Sequence, residues 1–139
     1  FVVRLGDMQA NAKKGKAVLN VGKQALALPP VKVGDIESDQ IVAISSAGHM
    51  LVTPVEQLPQ MAKGKGNKII NVPSKLLKAG EEMVAAITVV PEGGKLVVHS
   101  GKKYKTMKQA ELDGYFGDRG RRGLKLSQGY RVVDRLVVE

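Results

Sequence analysis

Three short stretches of the chain combine glycine with clustered cations: Lys13, Lys14 and Lys16 around Gly15; Lys63, Lys65 and Lys68 around Gly64 and Gly66; and Arg119, Arg121 and Arg122 among Gly117, Gly120 and Gly123. Such side chains attract anions, and loops of little bulk let backbone N–H groups approach an oxyanion, so charge and orientation are supplied together. The chemistry they suit is recognition of phosphate. These cations belong to a total of 22 Lys and Arg set against 13 Asp and Glu, a formal net charge of +9 that favours an anionic partner over an acidic active-site cleft. Asp118 is the acid inside the loops; others gather at Asp35, Glu37 and Asp39, at Glu81 and Glu82, and at Glu111 and Asp113.

No other group competes for a chemical role. Cysteine is absent, which removes disulfides, thiolate metal ligands and a thiol nucleophile. His49 and His99 have no second ligand near them in sequence, so no metal site is expected. Ser45 and Ser46 lack the Gly-x-Ser-x-Gly setting of a hydrolase elbow. Gly120-Arg121-Arg122-Gly123 lacks the Gly-Lys-Ser/Thr ending of a nucleotide-binding loop. Tyr104, Tyr115 and Tyr130 have no acid–base neighbour, and the five methionines read as core filler. The expected list of catalytic residues is therefore empty. Lys102, Lys103 and Lys105 lie on a hairpin and read either as an auxiliary contact or as a charged edge. Aromatic residues make up 4% of the chain with no Trp. That disfavours stacking on single-stranded bases and favours duplex DNA held by its backbone.

The elements that must position these loops are strands. Val/Ile/Leu-rich runs bounded by Gly, Pro, Asn and Ser recur, and helical periodicity is scarce. The predicted strands are Phe1 to Leu5, Ala17 to Val21, Ile41 to Ser45, Met50 to Val55, Ile69 to Val72, Val84 to Val89, Leu96 to His99, Tyr104 to Met107 and Arg131 to Val138. Ser46 to His49 and Ser100 to Lys103 are the predicted tight turns. Pro73 to Glu82 reads as briefly helical, capped by Ser74 and stopped by Gly80. The fold class is all-β.

Self-similarity organises these strands. Gly15 to Val21 superposes on Gly66 to Val72 at a shift of 51, and Ser46 to Leu58 on Ser100 to Leu112 at a shift of 54. Lys63 to Gly66 finds a looser counterpart in Arg119 to Gly123. Four strands per unit of about 50 residues is the arithmetic of a propeller-type blade. The expected units are 1–40, 41–93 and 94–139, about three blades with the first incomplete, in an open array rather than a closed ring. Because the chain begins inside an apparent strand, it reads as a piece of a longer protein. Equivalent loops should emerge on one rim and form a positive band.

The run Leu58 to Ser74, the segment Gly15 to Val21, and the ending Gly117 to Gly123 with Arg131-Val132-Val133-Asp134-Arg135-Leu136 resemble the C-terminal domain of the bacterial topoisomerase IV A-subunit family. The likeness covers essentially the whole chain. It implies a β-pinwheel, in which propeller-like blades exchange strands, and a basic outer rim that binds and bends duplex DNA. It further implies guidance of DNA segment capture and supercoil discrimination for relaxation and decatenation. The nine loop cations would be the DNA contacts. No position inherits the catalytic tyrosine, and no cofactor is expected on this piece, Mg and ATP being needed elsewhere in the full enzyme. Implied partners are double-stranded DNA, the rest of the A subunit, the B subunit through it and, as in some bacteria, a condensin-type chromosome protein, in a cytoplasmic, nucleoid-associated setting without a membrane. The gyrase box Gln-Arg-Arg-Gly-Gly-Lys-Gly does not occur. The alternatives are the equivalent gyrase domain or a protein-interaction scaffold whose positive band docks an acidic partner.

Overall fold

The computed structural model describes residues 1–4, 19, 28–64 and 66–139. They fall into two compact units, 1–29 with 58–67 and 30–57 with 68–139. In the first unit, the Val2 N–H donates to the Pro59 carbonyl at 2.9 Å and the Met61 N–H to the Val2 carbonyl at 2.7 Å. These bonds make a parallel bridge between Val2 and Gln60, and Leu19 bridges Gly64 in the same sense. Of the strand predicted over Phe1 to Leu5, residues 1–4 are described and hold only this bridge at Val2, so no strand runs through them; the strand predicted over Ala17 to Val21 lies outside the described residues apart from Leu19.

The second unit is built on two antiparallel hairpins. β1 (Gln40–Ser45) and β2 (His49–Pro54) form the first, with Gln40 opposite Pro54 and Ile44 opposite Met50. Their turn needs Gly48: its φ is +85°, and a Cβ there would lie 2.5 Å from that of Arg131. β3 (Val84–Val90) pairs with the other side of β1. β4 (Leu96–Ser100) and β5 (Lys103–Met107) form the second hairpin, and β7 (Arg135–Val138) pairs with β4. The short β6 (Leu124–Lys125) returns to the first sheet beside His49 and Met50 of β2. The strand orders are β3-β1-β2-β6 and β5-β4-β7. A segment C-terminal to the second hairpin thus completes the first hairpin's sheet.

Burial follows the two-residue period of the strands. Val42, Ile44, Met50 and Val52 point from the first sheet into a core shared with Val90, Leu96, Val98, Met107, Leu112 and Leu126. On the opposite face, Ala43 and Leu51 pack with Ile70. β1 is therefore covered on both faces, and its centre, Ile41 to Ile44, is an unbroken apolar run. Met50 and Met107 fill core, as expected, whereas Met83 is half exposed.

Several local expectations need correction. Ile69 to Val72 is not a strand; its backbone bonds go to a loop, the Gly120 N–H donating to the Ile69 carbonyl and the Asn71 N–H to the Arg121 carbonyl. The predicted strand from Arg131 begins only at Arg135. Ser74 is the first residue of helix α1 (Ser74–Lys78), not its cap; Pro73 holds that position without a side-chain bond. Gly80 does end the turn, at φ +72°. Helix α2 (Gln109–Asp113) was not anticipated. It drives Leu112 into the core and exchanges amide hydrogen bonds of 2.9 and 3.0 Å between Gln109 and Gln40. No helix among the described residues is long and apolar enough to cross a membrane.

Leu112 is fully buried while Leu77 of α1 is 53% exposed. Leu112→Ala should lower unfolding free energy in urea by about 2–5 kcal/mol through the cavity it leaves, and Leu77→Ala should change it by less than about 0.5 kcal/mol.

Candidate nucleic-acid interface

From Tyr115 onward the chain runs along the free edge of β2. The Val52 N–H donates to the Tyr115 carbonyl at 3.0 Å and the Gly117 N–H to the Val52 carbonyl at 2.9 Å. After a loop, the chain rejoins that strand at β6, where the Leu126 N–H reaches the Gly48 carbonyl at 2.8 Å. Gly123 makes this return possible. Its φ is +75°, and a Cβ would collide with the Met50 carbonyl oxygen. Between these two attachments, the loop of residues 118–122 is held out over the segment 68–71.

Each loop cation has a distinct environment. The Arg119 N–H donates to Gln57 Oε1 at 2.8 Å, and Gln57 in turn donates to Asp118 at 3.3 Å. The Arg119 guanidinium donates to the Lys68 carbonyl at 2.9 Å. Lys68 is exposed, and its ammonium reaches Asn71 Oδ1 at 3.2 Å. Arg121 is exposed, with 71% of its side chain accessible and only a loose 3.9 Å approach to Asp118. Arg122 behaves differently. It forms a 2.6 Å ion pair with Glu82, which is 2% exposed, and its other nitrogen donates to the Asn71 carbonyl at 3.4 Å.

The structure therefore brings together Lys68, Arg119, Arg121 and Arg122, two basic segments 51 residues apart by the spacing of Lys68 and Arg119. Lys63 is exposed and belongs to the other compact unit. Lys13, Lys14, Lys16 and Lys65 lie outside the described residues. Lys102 and Lys103 are exposed at the β4–β5 turn, on the other sheet from the loop, and Lys105 pairs with Glu111 at 3.3 Å.

Sequence reasoning set Glu82 apart from the basic loops, and the fold places it against one. Burial by itself would raise its pKa. The hydrogen bond from Arg122 and the neighbouring Ser45 hydroxyl, with the charges of Arg122 and His49, outweigh that and hold it below the ordinary 4.5. His49 lies beside this pair. Burial and the Arg122 charge hold its pKa below 6.5, against the opposing pull of a hydrogen bond with the Gly123 backbone and of Glu82. Its Nδ1 is buried without a partner. His99 instead stacks at a tilt on Tyr104, ring centres 5.9 Å apart. Among the described residues no group of three or more His, Asp or Glu could hold a metal. A cleft of about 360 Å³ is lined by Glu37, Asp39, Glu56, Glu92 and Asp113 among others, the wrong sign for phosphate.

No family model matches the chain. Over all of its 139 residues it is 41% identical to the DNA topoisomerase 4 A protein of Pseudomonas aeruginosa, of which it spans 18%, and equally so to that of Escherichia coli K12. It is 32% identical over 140 aligned residues to the Haemophilus influenzae counterpart, spanning 19% of it. The chain thus covers about a fifth of these relatives. Among solved structures it superposes on the E. coli ParC C-terminal domain with a TM-score of 0.85 at 39% identity, over 99% of this chain and 55% of that one. A second C-terminal domain of DNA topoisomerase IV shares the fold at 13% identity, with a TM-score of 0.56 over 84% of this chain and 40% of that one.

Both shifted groups make the unit less stable in acid. His49 contributes in full above 6.5, and that contribution fades as pH falls through its lowered value; Glu82 contributes above 4.5 and its share is lost as pH falls further. Denaturation midpoints taken from pH 8 down to 4 should show a first decline starting near pH 6.5 that His49→Gln removes. Arg122→Ala, which strands the Glu82 carboxylate, should cost about 3 kcal/mol at pH 7.

Proposed function

The chain belongs to the C-terminal domains of the topoisomerase IV A-subunit family, an accessory, mostly-β part of a type II topoisomerase, and from that premise we propose that it holds duplex DNA by its phosphates. The observation that carries this reading is the joining of residues 68–71 to residues 118–122, which gathers Lys68, Arg119 and Arg121 on two segments bonded to each other through their backbones. Fixed cations on a loop of low bulk neutralise phosphates without reading bases, so affinity is governed by counterion release and by how readily the duplex deforms. By repeat equivalence the same role extends to Lys13, Lys14, Lys16, Lys63 and Lys65, with Lys102 and Lys103 as auxiliary contacts. The blades of this reading are 1–40, 41–93 and 94–139.

On the scale of the whole enzyme, the domain bends the DNA segment it holds and presents it to a cleavage core for relaxation and decatenation. That core, with the B subunit, would supply the Mg- and ATP-dependent chemistry, in the cytoplasm at the nucleoid. A condensin-type protein is a further partner of this reading. The relatives from Pseudomonas, Escherichia and Haemophilus are topoisomerase IV proteins, which supports that side of the choice between topoisomerase IV and gyrase.

The test is fluorescence anisotropy of labelled duplex against salt. The logarithm of the binding constant should fall linearly with the logarithm of salt, with a slope of about −0.9 per phosphate neutralised. Lys68→Ala, Arg119→Ala and Arg121→Ala combined should weaken every sequence alike and shrink that slope by about 2 to 3. Absence of binding at low salt, together with a stoichiometric acidic protein partner recovered after nuclease treatment, would assign the band to protein docking instead.

A further inference from the structure

We infer that Glu82, a carboxylate beside a phosphate-binding loop, strengthens DNA binding by fixing the loop's position; this rests on the proposed DNA-binding role. Electrostatics alone says the opposite. A negative charge near a cationic track repels phosphate, so removing it should tighten binding.

The geometry explains the reversal. Glu82 is itself immobilised on both sides. Its own N–H and that of Glu81 donate to the Leu76 carbonyl of α1, at 3.3 and 2.9 Å. The next residue, Met83, exchanges two bonds with Ser46 at the β1–β2 turn: its N–H donates to Ser46 Oγ at 3.0 Å, and its carbonyl accepts from the Ser46 N–H at 2.7 Å. From this anchor the carboxylate grips Arg122 at 2.6 Å, and Arg122 reaches the Asn71 carbonyl. Asn71 receives the Lys68 ammonium on its side chain and donates its N–H to the Arg121 carbonyl at 2.8 Å. One buried carboxylate thus sets the relative placement of the two segments that carry Lys68, Arg119 and Arg121. Arg122 serves as the strut between anchor and loop, and its charge is spent on Glu82. Without the anchor the loop cations stay charged but sample many positions, and ordering them on DNA costs entropy at the moment of binding.

The sign of the change in affinity decides the matter. Glu82→Gln in the intact chain should raise the Kd for duplex DNA several-fold, whereas Glu81→Gln, an exposed neighbour that removes the same charge, should leave it unchanged or lower it. Hydrogen exchange should show the Gly120 and Asn71 amides losing protection in Glu82→Gln while those of Ile41–Ile44 keep theirs. Arg122→Lys, which preserves net charge and is the milder change, should weaken binding and loosen the same two amides. Tighter binding by Glu82→Gln, or unaltered affinity and amide protection in Arg122→Lys, overturns the inference. Should the unmodified chain fail to bind duplex, the functional reading falls, and the exchange data still report whether Glu82 fixes the loop.

Discussion

The free edge of β2 governs this fold. An edge strand presents unpaired N–H and carbonyl groups that some other segment must satisfy. β1 occupies one side of β2, and residues 115–126 occupy the other, attaching at Val52 and again at His49 and Met50. The two attachments are farther apart in sequence along the covering segment than along β2. Residues 118–122 are the excess, and they bulge from the sheet as the basic loop. Its existence follows from backbone pairing, while its placement over residues 68–71 is held by Arg122 and Glu82. The same pairing ties the second hairpin to the first, because the segment that covers β2 leaves directly from α2 and β5.

Charge is then distributed by burial. The loop has four cations within reach of one another when Lys68 is counted, and mutual repulsion would spread them. Arg122 turns inward to Glu82, Arg119 lends a nitrogen to a carbonyl, Lys68 rests on an amide oxygen, and Arg121 stays in water. Lys68 and Arg119 are restrained by neutral partners without being neutralised, and Arg121 faces outward with only the distant Asp118 beside it. A surface of this kind keeps its field while losing freedom, which suits a polyanion whose phosphates are regularly spaced.

The hairpins were legible in the sequence because their physics is local. Ile41 to Ser45 and Met50 to Val55, the latter observed as His49–Pro54, flank a glycine that must take positive φ, and Leu96 to Met107 repeats the pattern around Gly101. What failed depended on partners distant in sequence. Ile69 to Val72 has strand composition, yet the backbone opposite is a loop that offers it two bonds and no ladder. Arg131 looked like the start of a strand, but its side chain donates to the Leu126 carbonyl at 3.0 Å and its Cβ abuts Gly48, which detains the chain until Arg135. Glu82 sits in a polar run after a helix stop, and nothing in its neighbourhood announces an arginine 40 residues on.

The choice of an ion pair at that point has a physical rationale. Apolar residues of similar volume would often stabilise such a site as well or better, since desolvating two charges offsets much of their attraction. Apolar contact, however, is non-directional, and a loop resting on it could slide by a fraction of a residue without penalty. A guanidinium is planar, and its fork fits a carboxylate and a carbonyl at fixed angles. Arg122 uses that fork on Glu82 and Asn71 together, so a slide breaks both bonds. The pair thereby converts a marginal energetic gain into a definite register for the cations beside it. It also leaves a cation at the loop base that is unavailable to phosphate, so the loop's outward charge resides in Lys68, Arg119 and Arg121, the side chains whose positions the pair determines.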